Sequence, residues 1–148
     1  MSSPSSAVHH RAWALLLARL VLGLIFFMAG VYKVFQMGPV AHATKWFVGP
    51  YAGTFLPTWA LWAAGVTVPF IELGAGALTL LGLRTRDALL ALGGVLVLVT
   101  FGHLLAEPLY EFHTHVIPRL ALLLYVLSFA REEDRFSLDA WLGRRRAS

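Results

Sequence analysis

The sequence contains no cysteine and few charged residues, and both absences restrict what the protein can be. Of its 148 residues only 14% are charged, whereas 58% are apolar and the mean hydropathy is +0.70. The missing cysteines exclude disulfides, thiolate metal sites and cysteine nucleophiles. A soluble domain carries about 25% charged residues and cannot bury this much apolar surface at this size. The composition therefore predicts a single-domain integral membrane protein.

Four apolar segments are long enough to cross the hydrocarbon core of a bilayer, which takes about 20 residues. The predicted spans are residues 12–35, 59–83, 88–106 and 112–130. Together they form one membrane domain (12–130) between an N-terminal tail (1–11) and a C-terminal tail (131–148). The predicted fold class is all-α, a four-helix transmembrane bundle.

Arginine is concentrated on one side of the predicted bundle. The two tails and the loop between the second and third spans hold Arg11, Arg84, Arg86, Arg131, Arg135, Arg144, Arg145 and Arg146. The opposite side has only Lys33 and Lys45. Both termini are therefore predicted to face the cytoplasm. This bias also accounts for the net charge of +4 and the pI near 10.0, so no nucleic-acid partner is expected.

Two segments lie outside the predicted spans. The outer-side loop (36–58) is interrupted by glycine and proline, and between these breaks Val40–Val48 is predicted to form an interfacial helix that places Trp46 and Phe47 in the membrane interface. The C-terminal tail mixes basic and aromatic residues, which is typical of a segment lying on anionic lipid. A disordered, solvated tail is the alternative.

Polar and small residues recur at helical spacing along one face of each span. These stripes contain Arg19, Gly23, Gly30 and Lys33 in the first span, Gly65, Pro69, Glu72 and Gly76 in the second, His103 in the third, and His115 and Arg119 in the fourth. Ionisable groups within a membrane are costly and turn toward the interior of a bundle. The four stripes are therefore predicted to face one another.

Glu72 and Arg119 lie near the middle of their spans. An ionised side chain there costs at least about 2.5 kcal/mol, so it should be paired. Arg119 is the predicted partner of Glu72, with Arg19 as second choice. Two interpretations stay open: a structural ion pair with Arg19 extended toward the interface, or a polar site whose spare positive charge binds a ligand oxygen.

Three histidines cluster near the predicted outer side: His103, His113 and His115. His103 and His115 should face each other across the hairpin between the third and fourth spans. Facing histidines in a bundle can hold haem or a metal, but the sequence has no clear third ligand and no haem attachment motif. The alternative is that these histidines lie at the membrane interface simply because one edge of the ring stays in water. With Lys33 they still give the outer half of the bundle groups that exchange protons, and no covalently bound cofactor is expected.

Glycines on the stripes permit either close helix packing or space for a planar ligand. Gly23 and Gly65 are predicted to be close-packed. Gly30 and Gly76 lie nearer the polar groups, and these two are predicted to line a ligand cavity.

Three motifs, taken in order, resemble the DoxX family of small bacterial membrane proteins. They are R-L-V-L-G-L-I-F-F-M-A-G-V-Y-K-V-F (Arg19–Phe35), F-L-P (Phe55–Pro57) and P-F-I-E-L-G-A-G-A-L-T-L-L-G-L-R-T-R (Pro69–Arg86). The likeness extends over about Arg19 to Phe129. It implies a four-helix bundle in the bacterial cytoplasmic membrane. The residues that match the family pattern are Arg19, Gly23, Gly30, Lys33, Glu72, Gly74 and Gly82.

The resemblance also implies redox partners, because some relatives, such as the DoxD subunit of thiosulfate:quinone oxidoreductase, are membrane subunits of quinone-linked systems. The leading hypothesis is a redox subunit that binds a quinone or similar lipophilic molecule between its helices, with Arg19, Glu72 and Arg119 at the head group. No residue here carries electrons, so a membrane or periplasmic redox protein must do so and the chain alone is not a complete enzyme. The alternatives are a non-catalytic accessory subunit of a larger membrane complex and a small-molecule transporter.

Overall fold

A computed structural model describes residues 4–107 and 114–147, and within these ranges the chain is helical, without strands. The helices are α1 (Pro4–Val31), α2 (Pro39–Ala43), α3 (Gly49–Tyr51), α4 (Thr58–Leu81), α5 (Thr85–Ala106), α6 (Val116–Glu133) and α7 (Leu138–Ala147). Two π-helical stretches, Tyr32–Met37 and Thr44–Val48, continue α1 and α2. The all-α prediction is confirmed.

Three helical stretches are long and apolar enough to cross a membrane: His9–Met37, Thr58–Leu81 and Thr85–Ala106. They correspond to the first three predicted spans. The apolar part of α6, Val116–Ala130, is shorter. At 1.5 Å per residue it covers about 22 Å, less than the hydrocarbon thickness of about 30 Å. The predicted fourth span also includes residues 112 and 113, which lie outside the described ranges.

The four long helices pack side by side in a ring. Helix α1 contacts α4 and α6, and α5 contacts the same two helices, so α6 lies across the bundle from α4. The centre is filled by Leu15, Leu22, Phe26, Ala75, Leu89, Leu92, Leu96, Leu123 and Val126. Apolar side chains also cover the outside, where Leu17, Met28 and Val97 are more than half exposed. Helices that are apolar on all sides are typical of a membrane domain.

Glycines set the register of the antiparallel pair α1 and α4. A Cβ atom at Gly23 would lie 2.8 Å from the Leu80 side chain, and one at Gly76 would lie 2.5 Å from the backbone nitrogen of Phe27. A Cβ atom at Gly30 would lie 2.6 Å from the Cα atom of Leu73. Residues further along α1 therefore face residues nearer the start of α4, which is the pairing of two antiparallel helices.

These contacts overturn one prediction about the glycines. Gly30 and Gly76 do not line a cavity: each faces backbone of the opposite helix, because α1 and α4 approach most closely there. Gly23 and Gly65 are close-packed as predicted, Gly65 against Ala43 of α2. Gly74, by contrast, is exposed and has no atom within 4 Å of an added Cβ.

Gly82 ends α4 in the left-handed conformation (φ 65°), which glycine adopts without strain. A Cβ atom here would lie 2.5 Å from the Ser137 Cβ and 2.6 Å from an Arg19 nitrogen. The turn between α4 and α5 is therefore tightly covered by α1 and by the segment before α7.

Candidate ligand-binding site

A cavity of about 300 Å³ lies at the end of the bundle opposite the chain termini. Helices α4 and α5, the end of α1 and the segment from α2 to α3 enclose it. Its polar side chains are Lys33, His42, Tyr51 and His103, and most of the remaining wall is aromatic or aliphatic. A small apolar cavity with a few converging polar groups is the usual form of a small-molecule site.

Lys33 forms an ion pair with Glu72 at the floor of this region. The Lys33 Nζ donates to Glu72 Oε2 at 2.6 Å, and the two side chains are 25% and 7% exposed. Lys33 comes from the π-helical continuation of α1, a kind of distortion that is frequent at functional sites. Because its side chain reaches both the carboxylate and the cavity, Lys33 joins the ion pair to the cavity wall.

The predicted pairing of Glu72 with Arg119 or Arg19 is wrong. Helix α6 carries Arg119 on the far side of the bundle from α4. The glycine contacts fix α1 and α4 in a register that places Lys33, rather than Arg19, beside Glu72. Arg19 lies 14 residues before Lys33 in the helical run, about 21 Å away at 1.5 Å per residue.

His42 binds α4 at a backbone position that Pro69 leaves open. In an α-helix the carbonyl of Gly65 would accept from the N–H of residue 69, but proline has none. The Nδ1 atom of His42 lies 2.7 Å from that carbonyl oxygen, and His42 is 3% exposed. Since Gly65 has no side chain, Ala43 packs directly on it and brings His42 within reach. Gly65 and Pro69 thus form the docking point of α2.

This hydrogen bond also fixes the chemistry of the imidazole. A carbonyl oxygen can only accept, so Nδ1 carries the proton and Nε2 of the neutral ring keeps a lone pair. Burial lowers the pKa of His42 from its ordinary 6.5, and the charge of Lys33 acts in the same direction. The hydrogen bond to Gly65 opposes this shift. His42 is therefore neutral near pH 7 and is a hydrogen-bond acceptor on the cavity wall.

Tyr51 and His103 lie on the opposite wall. Tyr51 is 8% exposed, and its hydroxyl oxygen is 2.8 Å from where a Cβ of Gly102 would be, so glycine makes room for the phenol. Burial raises the pKa of Tyr51 above 10.0, which keeps its hydroxyl protonated and able to donate. His103 follows Gly102 and also lines the cavity. The cavity is thus lined by two hydrogen-bond donors, Lys33 and Tyr51, and by an acceptor, His42.

The remaining predicted site residues lie elsewhere. His115 is exposed, close enough to His103 for an electrostatic interaction, and Arg119 is half-buried on α6. His113 falls outside the described residues. In residues 4–107 and 114–147 no group of three or more candidate metal ligands occurs.

Arg19 is bound at the other end of the bundle. It is 2% exposed and donates from Nη1 to the carbonyls of Thr79 (2.9 Å) and Leu80 (2.8 Å), and from Nη2 to Phe136 (3.3 Å). Its Nε lies 3.3 Å from Asp134 Oδ2. Burial raises the pKa of Asp134, and Arg19 partly offsets that rise. Arg19 therefore joins α1, the last turn of α4 and the segment after α6.

The helical spacing of polar residues does not identify His42 and Tyr51, because both residues lie outside the predicted spans. One signal in the sequence does point to His42: a proline inside an apolar helix frees a carbonyl four residues earlier, and a nearby donor must satisfy it. The predicted interfacial helix is also different in detail. Within Val40–Val48 the chain is helical, as Pro39–Ala43 and Thr44–Val48, and both stretches pack against α4, leaving Trp46 half exposed and Phe47 beside the His42 ring.

Comparison with known proteins identifies the family to which this helical chain belongs. The DoxX family model matches residues 14–104, from α1 through nearly all of α5, and so includes Lys33, His42, Tyr51, Glu72 and His103. Helix α6 and the tail lie outside the match. Neither the curated proteins nor the solved structures give a significant match. A match over more than half of the chain establishes the family: the protein is a member of the DoxX family.

Proposed function

We propose that the protein is the membrane subunit of a quinone-linked or related redox system and holds the head group of a lipophilic ligand in the cavity between α2, α4 and α5. The observation that carries this proposal is the cavity itself, which combines an apolar wall with Lys33, His42, Tyr51 and His103. About 300 Å³ accommodates one substituted ring, and an isoprenoid tail would extend along the lipid-facing helices.

The proposed orientation follows from charge. If α6 is the fourth span, both termini lie on one side of the membrane, and the arginine bias supports the cytoplasmic side for them and the outer side for the cavity. Reporter fusions at Arg86 and at the C-terminus should indicate cytoplasm, and a fusion near Ala52 should indicate the outer side. The reverse result at either loop would refute this topology.

The polar groups favour a ligand with both acceptor and donor oxygens. Tyr51 and Lys33 can donate to a carbonyl or phenolate oxygen. The Nε2 atom of His42 can accept from a hydroxyl, because its Nδ1 proton is engaged by Gly65. A quinone and its reduced quinol offer these two kinds of oxygen. Electrons would enter or leave through a partner redox protein, because no residue of the chain carries them.

Two neighbouring alanines provide a matched test. Ala64 lines the cavity, whereas Ala63 points outward from the same helix. With a short-chain ubiquinone as the probe, quenching of tryptophan fluorescence reports binding. Ala64→Phe should abolish binding by filling the cavity, and Ala63→Phe should leave it unchanged.

Equal quenching in both variants would refute the site. If, in addition, mass spectrometry of gently solubilised protein finds partner chains but neither quinone nor another lipophilic ligand, the accessory-subunit alternative replaces this proposal.

A further inference from the structure

The C-terminal tail is fixed to the bundle rather than free in solution. Asp139 of α7 accepts from the backbone nitrogens of Arg84 and Thr85, both at 2.9 Å, and from the Thr85 hydroxyl at 3.2 Å. Its own nitrogen donates to the Gly82 carbonyl at 2.9 Å. The first turn of α5 has no side-chain cap of its own, so Asp139 supplies it.

A second anchor ties the start of the tail to α1. The ring of Phe136 lies 4.8 Å from that of Trp13, and the Phe136 carbonyl accepts from Arg19. With Asp139, these contacts hold residues 135–145 against the N-terminal half of α1 and the end of α4. Exposed apolar side chains nevertheless remain on this segment, among them Trp141 at 42% and Leu142 at 38%.

Between the tail and the bundle lies a groove of about 640 Å³, which we call the tail groove. Its floor is mostly apolar, made of Leu16 and Leu20 of α1 and Leu80 and Leu81 of α4, and the structural residues Arg19 and Ser137 also line it. Its rim carries Arg135, Arg144 and the indole of Trp141. Both arginines are exposed, and the groove is lined by no carboxylate among the described residues.

We propose that the tail groove binds one anionic glycerophospholipid, with its phosphate between Arg135 and Arg144 and an acyl chain along the leucine floor. The arrangement is complementary to such a lipid in charge and in depth. Guanidinium groups bind phosphate oxygens in paired hydrogen bonds. Leu80 and Leu81 belong to the last turn of the membrane-crossing helix α4, where a phospholipid phosphate meets its acyl chains, and Leu16 and Leu20 of α1 line the groove beside them. The site is independent of the cavity at the other end.

Native mass spectrometry of the full-length protein, with phosphatidylglycerol or phosphatidylcholine added, tests the assignment. The wild type should retain one phosphatidylglycerol in preference to phosphatidylcholine. Arg135→Gln with Arg144→Gln should lower that preference about tenfold. Arg84→Gln with Arg86→Gln removes the same charge from exposed positions outside the groove and should leave the preference unchanged.

Asp139→Asn separates a built site from general attraction of a basic surface. It weakens the cap on α5 and loosens the tail while every arginine remains. Loss of lipid preference in this variant supports the groove, and unchanged preference contradicts it. Equal loss in the two arginine pairs would also overturn the proposal. So would displacement of the lipid by inorganic phosphate at equal concentration, or a dimer that disappears in the Arg135 and Arg144 variant, because the occupant would then be a free anion or a second copy.

Discussion

Each end of the bundle holds a basic side chain from the polar stripe of α1, but the two side chains are used differently. Arg19 is 2% exposed and donates to three backbone carbonyls besides its contact with Asp134. Lys33 forms an ion pair with Glu72, and a quarter of its side chain remains exposed beside the cavity. A guanidinium has five N–H donors, and Arg19 uses three of them on backbone carbonyls. The ammonium of Lys33 has three donors, and one of them binds Glu72.

The comparison separates a charge that is used to hold the fold together from one that borders the cavity of the proposed ligand. At the tail end, the donors of Arg19 satisfy carbonyls that the last turn of α4 would otherwise leave open. At the cavity end, the polar groups are held in place by Glu72 and by the Gly65 carbonyl while still facing open space. Capacity for a ligand therefore depends on unused hydrogen-bonding positions next to a cavity, and not on the presence of a buried charge.

The largest expected effect is at Arg19. Arg19→Met should leave Asp134 buried without its counter-ion and uncover the carbonyls of Thr79 and Leu80, lowering the free energy of unfolding by about 3–5 kcal/mol. Denaturation in detergent, followed by helical circular dichroism, measures this loss. Arg86→Met is the control, because Arg86 is exposed and its loss should cost no more than about 0.5 kcal/mol. Similar losses in both variants would contradict the structural role of Arg19.

Next in size are the glycines between α1 and α4. Gly30→Leu and Gly76→Leu should each destabilise the bundle by about 1–3 kcal/mol, since an added side chain meets backbone of the other helix. Gly74→Leu adds the same side chain to α4 where no atom lies within 4 Å, and it should have little effect. Melting temperatures of the three variants in one detergent test the register directly. If Gly74→Leu is the most harmful, the α1–α4 contact has been wrongly placed.

A smaller loss of stability, joined to a loss of binding, is expected at the ion pair of the cavity. Lys33→Met leaves Glu72 without its donor, which should cost about 1–3 kcal/mol because water in the cavity can replace part of the hydrogen bonding. Quinone quenching should fall more in Lys33→Met than in Arg19→Lys, measured where both remain folded. The opposite order would assign ligand binding to the tail end instead.

The helical nature and three spans are predictable from the length and composition of the apolar segments, but the inward-facing stripes hold only in part, because Arg19 and Glu72 are buried whereas His115 is exposed. Spacing places Arg19, Lys33 and Glu72 on the correct helix faces, since period is a local property. It does not give the register between helices, and for that reason it predicts the wrong partner for Glu72. Register depends on which small residues meet, and the contacts of Gly30 and Gly76 set it.

The cavity was not predictable for a different reason. Its polar groups come from two sources, the spans (Lys33, His103) and the connecting segment (His42, Tyr51), and periodicity describes only the first. The connecting segment is held on α4 by a single backbone irregularity at Pro69. The prediction of an interfacial helix over Val40–Val48 therefore says nothing about how this half of the site contacts α4.

The smallest expected effect is a pH response of opposite sign at the two ends. The folded pKa of His42 lies below 6.5, so the unfolded or undocked segment binds more protons as the pH falls through that value, and docking of α2 weakens on acidification. The folded pKa of Asp134 is raised above 3.8, so its protonated form is favoured in the folded state and acidification relieves the cost of its burial.

Hydrogen exchange measured from pH 7.5 to pH 5, corrected for the intrinsic rate, resolves the two ends separately. Protection of residues 40–51 should decrease at the lower pH, whereas protection of residues 134–141 should hold or increase. His42→Gln keeps a donor for the Gly65 carbonyl without titrating, so it should remove the pH dependence of the first segment and leave the second as in wild type. An unchanged response of residues 40–51 in His42→Gln would show that another group controls the docking of α2.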